Sequence, residues 1–302
     1  MYTVDSNFVH TFAGNPLDRA QHLRKDTAAL ADLESAAGSE FLLFHKLKVA
    51  TDEAGGLAWL KPQELPAQVN SVIFLGLHDG QGRFAASAPE ADAIAGIHEF
   101  TDCRQAAAQL RIDEGGIVSQ ARAMLDWHQR NPYCAVCAQP TQAARGGQIR
   151  HCNRCNKHIF PRTDPVAIML IQDSPAGDYC LLGKSQGRMA ASNFYSALAG
   201  FVDQGESLEE AVRREVMEEA GIRVGSVSYH SSQPWPFPSS LMIGCHGIAE
   251  TKEIIIDTAE MADVAWFDRR SVRAAIAGEN PDLRIPGPGA IAHHLIKAWA
   301  SA

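Results

Sequence analysis

Residues 200–222 read GFVDQGESLEEAVRREVMEEAGI. Ser207 and Glu210 stand at the spacing of an S-x-x-E capping box and Gly221 supplies a stop, which predicts a helix over about 208–220. Leu208, Val212 and Val216 recur as a buried stripe would. At about 100° per residue with Leu208 at zero, Val212 falls near roughly 40°, Val216 near roughly 80°, Glu219 near roughly 20° and Glu215 near roughly 340°. The acids therefore lie inside the apolar face. From Glu206 to Glu219 there are six glutamates against two arginines, too acidic a run to be held by paired charges alone. Unpaired carboxylates on a buried face are costly. Their oxygens suit hard ions such as Mg2+ or Mn2+, which share their shell with substrate phosphates. A charge run is more often a solvated face, but such a face opposes the apolar stripe instead of coinciding with it.

Outward from this helix, VAIMLIQ (166–172), YCLLGKS (179–185), VSYHSS, LMIGCHGIAE and VAWFD read as strands, and a last helix is expected from about Gly289 to Ser301. Toward the N-terminus, FLLFHKLKVA (41–50) and SVIFLGL (71–77) are strand-like, and DGQG (79–82) followed by RFAAS predicts a hairpin. From Asp102 to about Arg130 the pattern turns helical, until Asn131 and Pro132 break it. A chain of 302 residues with 46% hydrophobic and 21% charged residues exceeds one typical domain and can bury a sizeable core. No apolar run reaches the length of a membrane span, and Met1 to Ala20 lacks the pattern of a secretory leader, so a soluble, cytoplasmic protein is expected. A net charge of -8 argues against a chain whose main task is to grip nucleic acid through its phosphates.

Cys134 and Cys137, then Cys152 and Cys155, form two C-x2-C knuckles that can present four thiolates to one tetrahedral Zn2+, the zinc-ribbon arrangement. The other three cysteines are isolated, which suits a reducing compartment. His151 and His158 adjoin the second knuckle but are read as surface groups, since four thiolates close the site. Six basic residues and no acidic one lie between Arg130 and Thr163. They compensate the charge of a zinc tetrathiolate or, on a sharper reading, offer a modest contact surface for a nucleotide or RNA phosphate. Farther on, SQPWPFPSS (232–240) carries three prolines, which predict an extended backbone holding Trp235 and Phe237 in similar directions. Two pre-set rings suit flat bases, and core or interface packing is the bland alternative.

Gly200, Glu206, Arg214, Glu215, Val216, Glu218, Glu219, Gly221 and Ile222 resemble the Nudix box of nucleoside diphosphate-X hydrolases. With the ribbon, ARAMLDWHQRNPYC, SQPWPFPSS and IPGPGAIAHHLI, the chain looks like the NADH pyrophosphatases, also described as NAD-cap RNA hydrolases. The resemblance implies an α+β chain: a Nudix α/β/α sandwich with a mixed sheet (162–302), preceded by a zinc ribbon (131–161) and an N-terminal Nudix-like α/β domain (1–130). It implies metal-dependent splitting of NAD(H) into nicotinamide mononucleotide and AMP, removal of NAD caps from RNA, and a homodimer. It places Ala199 (through its carbonyl), Glu215, Glu219 and Glu260 as Mg2+ or Mn2+ ligands, with Asp257 and Asp263 as rivals of Glu260. Glu206 and Arg214 form a supporting pair, and Glu218 or Glu219 is the base. Phe160, Gln233, Pro234, Trp235, Pro236, Phe237, Pro238, Ser239, Ser240 and Ala292 would contact the dinucleotide. Two other classes remain: hydrolysis of other nucleoside diphosphate derivatives, and a zinc-ribbon module that binds nucleic acid or protein on a silent hydrolase fold. Ala138 and Asn156 stand after the knuckles where the family often has glycine.

Overall fold

The computed structural model describes residues 9–90, 94–187 and 190–302; the first eight residues of the stretch read for a leader lie outside these. The chain divides into two compact units. One comprises Thr11–Thr163 and Pro234–Ser239; the other comprises residues 9–10, Asp164–Gln233 and Ser240–Ala302.

The first of these units contains α1 (Thr27–Ser35), β1 (Glu40–His45), β2 (Lys48–Thr51), β3 (Trp59–Leu60), β4 (Asn70–His78), β5 (Gln81–Ser87), β6 (Glu99–Thr101), α2 (Cys103–Ala106) and α3 (Ile112–Arg130). Its sheet runs β4-β5-β1-β2-β6 with β3 beside β1, and is mixed because β1 and β5 are parallel. The expected hairpin forms: β4 and β5 meet across Asp79 and Gly80, both at positive φ (49° and 75°), the turn whose twist suits paired strands. Ile117, Val118, Ala121 and Leu125 of α3 close this core against Leu42, Phe44, Ile73 and Leu75. The single helical stretch expected from Asp102 is interrupted. Asp102 caps only a short helix, and a new capping pair, with Glu114 accepting from the Arg111 amide, starts α3. The ribbon strands β7 (Gln142–Ala144), β8 (Ile149–Cys152) and β9 (Lys157–Ile159) form a meander. Its β7–β8 turn approaches the sheet so closely that a Cβ on Gly147 would stand 3.1 Å from Ile73, and Gly147 also has φ 79°. Phe74 N–H donates to the Gly146 carbonyl. His128 accepts at Nδ1 from Arg150 and donates from Nε2 to the Gly147 carbonyl at 2.7 Å.

The other unit holds β10 (Asp164–Gln172), β11 (Tyr179–Ser185), β12 (Leu198–Phe201), α4 (Leu208–Ala220), β13 (Val224–Trp235), β14 (Ser240–Ala249), β15 (Met261–Asp268), α5 (Arg269–Ala277) and α6 (Ile291–Ser301). The strand order is β13-β14-β10-β11-β15 with β12 on β10; β10 and β14 are parallel, β10 and β11 antiparallel. Alternation along β10 builds a three-layer sandwich. Ala167, Met169 and Ile171 face Ala211, Val212 and Val216 of α4, while Ile168 and Leu170 face Leu295, Ile296 and Trp299 of α6. The helix over 208–220 forms as expected, with reciprocal Ser207–Glu210 capping and Gly221 in the left-handed region at φ 68°.

Candidate active site

Helix α4 buries Val212 and Val216 and, as its wheel requires, carries Glu219 down with them: Glu219 is only 7% exposed. Its Oε2 has no hydrogen-bond partner among the described residues. Burial, then the charges of Glu215, Glu260 and Glu218, push the Glu219 carboxyl up to about 8. Glu215 is half-buried, and burial raises it too, against the pull of Arg214. Its carboxylate lies over the backbone of Gly200, where an added Cβ would come within 1.9 Å of it. Ala199, one residue earlier in β12, is paired with Ile168 of β10.

The nearby cation is already engaged. Arg214 grips Glu206 with two bonds, Nε to Oε1 at 2.6 Å and Nη2 to Oε2 at 2.9 Å, a bidentate geometry that holds the Glu206 carboxyl down to about 2. Its Nη1 donates to Glu215 at 2.8 Å and to Glu218 at 2.9 Å, and Nη2 also reaches the Phe201 carbonyl. Glu218 is exposed. None of these four partners of Arg214 is Glu219. Three of its carboxylates are thus tied to one guanidinium while the deepest acid of the group faces other acids. An orphaned, buried carboxylate oxygen among like charges fits a divalent cation, and oxygen donors of this kind suit Mg2+ or Mn2+.

Of the three acids offered for the last ligand position, Asp257 uses its carboxylate to accept from the Ala259 amide, and Asp263 accepts the Tyr195 hydroxyl. Glu260 is exposed on the turn before β15 and its charge acts on both Glu215 and Glu219.

The proline segment differs from the extended form expected. Strand β13 ends at Trp235 and residues 236–239 turn, so the Trp235 and Phe237 rings, 5.3 Å apart, meet edge to face at 66° instead of pointing alike. Phe12 packs edge-on against both. Arg104 lies over the Phe237 ring at 3.7 Å and Arg122 at 4.4 Å, and Arg122 also donates to the Pro236 carbonyl. Sequence reasoning missed both arginines; Arg122 is the legible one, a charge set beside Ala121 and Leu125 on the buried stripe of α3. Pro234 is half-buried, Pro236 buried, Pro238 exposed, and Ser239 and Ser240 half-buried. Gln233 is 1% exposed, and its amide is turned to structural use: Nε2 donates to the Gly289 carbonyl and Oε1 accepts from the Ile291 amide, capping α6. Ala292, in the first turn of α6, is buried in the core; Phe160, after β9, is 62% exposed.

Cys134, Cys137, Cys152 and Cys155 form the structural zinc site. Their sulfurs all lie within 4.8 Å of one another, the one such cluster of possible ligands among the described residues. Backbone N–H groups of Val136 and Cys137 draw the Cys134 thiol down to about 6, and that of Cys155 draws Cys152 down, while the thiols facing them, Cys155 and Cys137, are pushed up. Ala138 and Asn156 keep the left-handed turn after each knuckle, at φ 57° and 55°, without glycine. His151 stays outside the cluster and meets Asn156.

Three family models match: a NUDIX domain over 161–285, an NADH pyrophosphatase-like rudimentary NUDIX domain over 38–127 and an NADH pyrophosphatase zinc ribbon domain over 129–160. The chain is 36% identical over 299 residues to the NAD-capped RNA hydrolase NudC of Mycobacterium bovis, covering 94% of this chain and 92% of that protein. It is 43% identical over 200 residues to the NAD-capped RNA hydrolase NUDT12 of Macaca fascicularis, covering 63% of this chain and 43% of that protein. With the mitochondrial NAD(P)H pyrophosphatase NUDT13 of Homo sapiens it shares 39% over 212 residues, 66% of this chain and 59% of that one. The match thus spans less than half the length of the Macaca fascicularis protein and most of NudC.

Proposed function

The chain belongs to the Nudix hydrolases of the NADH pyrophosphatase type, and on that premise we propose that it hydrolyses the diphosphate of NAD(H): water and the P–O–P bridge give nicotinamide mononucleotide and AMP. The observation that carries the reading is the buried Glu219 carboxylate, one oxygen unpartnered, set among Glu215 and Glu260. Glu215, Glu219, Glu260 and the Ala199 carbonyl would hold Mg2+ or Mn2+. Such ions, when bound, neutralise phosphate charge and acidify a water molecule. Arg214 orients Glu215 and Glu218 from its anchor on Glu206. Glu218 or Glu219 takes the proton of the attacking water. Gln233, by capping α6, holds the loop at Gly289 against the end of β13. The family resemblance would have Phe160, Trp235 and Phe237 contact a base, although the Phe237 ring already carries Arg104 and Arg122.

NAD-capped RNA is a second substrate of the same chemistry. Exposed Arg154 and Lys157 on the ribbon favour it, whereas Arg130 pairs with Asp126 and Arg150 with His128 and Thr141. We place the protein in the cytoplasm as a homodimer on the family resemblance; no helix among the described residues is long and apolar enough to cross a membrane. The test is turnover of NADH, NAD+ and NAD-capped RNA with Mn2+ or Mg2+. Release of nicotinamide mononucleotide supports the reading. Failure to cleave any of the three, with the protein folded and zinc-loaded, overturns it in favour of another diphosphate substrate or a binding module.

A further inference from the structure

Glu260 is the weakly anchored member of the proposed set. It sits exposed on a turn, not on a helix or strand, and a ligand on a turn needs outside support to hold a geometry. That support is visible in the same unit. Immediately after β11, the Gln186 backbone N–H donates to the Glu260 carbonyl at 2.8 Å. Its side-chain Nε2 donates to the Thr258 carbonyl at 3.1 Å and the Met261 carbonyl at 3.3 Å. Gln186 thus bridges both sides of the turn. Within it, the Glu260 and Met261 amides bond the Asp257 carbonyl, and the Asp257 amide reaches the Glu219 carbonyl at 3.4 Å. These bonds tie the turn to the helix that carries the other acids.

We propose that Gln186 is a positioning residue that sets the Glu260 carboxylate for the divalent cation. The inference rests on the reading of Glu260 as a metal ligand. An amide suits the task because its two N–H groups reach two carbonyls at once while adding no charge beside Glu260. Methionine keeps the length and loses both donors.

The test titrates Mn2+ alone into the full chain and its Gln186→Met, Glu260→Gln and doubly substituted forms, following free Mn2+ by electron paramagnetic resonance. Gln186→Met is expected to weaken Mn2+ binding by about 10–100-fold, the usual effect of removing a ligand's outer support. Thermal stability without added Mn2+ and KM for NADH at saturating Mn2+ should stay unchanged. The double variant should bind no more weakly than Glu260→Gln, since both changes disable one ligand. Additive losses overturn the proposal, as does native-strength binding by Gln186→Met where Glu260→Gln is weakened. Native-strength binding by Glu260→Gln removes Glu260 from the metal set and the proposal with it, while leaving turnover of NADH to judge the wider reading.

Discussion

A buried carboxylate facing other acids is destabilising until a cation meets it, and Glu219 is in that position. Replacing it by glutamine removes the charge and keeps the shape. Glu219→Gln should lose about 10²–10⁴-fold in kcat/KM, the range of a missing proton acceptor. Without added divalent metal it should melt above the native chain near pH 8, and Mn2+ should raise the melting temperature of the native protein far more than that of the variant. Paired scanning calorimetry with and without Mn2+ checks both. The carboxylate of Glu215 lies on Gly200, whose backbone conformation is ordinary, so glycine is required there only for space. Gly200→Ala should fold, since a flexible side chain can move aside, yet weaken Mn2+ by on the order of 10-fold or more, read in the same titration. The depth of Glu219 was legible in the sequence because a helical wheel relates it to Val212 and Val216. The Glu206–Arg214 pair was expected from the family resemblance alone; helix spacing does not say which further acids one guanidinium takes, since a long side chain with five donors can reach up or down its helix.

Elements were legible where a local signal marks both ends. The cap at Ser207, the stop at Gly221 and the Asp79–Gly80 turn are such signals, and each stands where the residues put it. The geometry of the SQPWPFPSS segment was hidden because Phe12, which packs against both rings, comes from the far end of the chain. Helix α5 was not read although Val272, Ala275 and Ile276 stand at i, i+3 and i+4 and pack on the core; over nine residues that stripe is short. Helix α6 forms within two residues of the expected start, but its cap comes from a distance: Ala290 offers no side-chain cap, and Gln233 of β13 supplies one. Gln233→Ala should therefore destabilise the fold by about 1–3 kcal/mol, the usual penalty for stranding buried backbone groups, as read by urea unfolding. A change confined to KM, with stability unaltered, would make Gln233 a substrate residue alone. In the ribbon, Cys152→Ser should abolish stoichiometric zinc and lower the melting temperature, since the β7–β8 turn bonds Phe74 and His128; metal analysis beside a thermal scan checks it.

At the scale of the whole molecule, composition foretold an acidic protein but not where its histidines gather. Five of the 12 histidines meet in the unit that carries α4. His10 and His294 rings lie 4.9 Å apart, His230 and His246 5.2 Å, His293 and His294 5.4 Å. His10 and His230 both bond the Ser231 hydroxyl at 2.7 Å. Burial, then the neighbouring His294 and His230, holds His10 down to about 4; burial and His230 hold His246 to about 4, against a bond to the Leu295 carbonyl. Burial lowers His230 and His294 as well, Lys297 adding to the effect at His294. In the unfolded chain these rings titrate near about 6.5. As pH falls from there toward 4 the unfolded state binds more protons than the folded one, so stability is present above about 6.5 and drains away below it. Each withheld proton steepens the loss by about 1.4 kcal/mol per pH unit. Other groups act in or near that window in two senses: zinc thiolates are lost as acid competes for sulfur and buried His128 behaves as the other rings do, while Glu219 and Glu215 pull the opposite way because protonation relieves their burial. All are common to the native chain and a His246→Asn variant, so the difference between the two proteins isolates the ring. Urea midpoints at pH 7.5, 6.0 and 5.0 should fall steeply for the native chain and less steeply for His246→Asn; parallel slopes would show that His246 carries no proton debt in the fold.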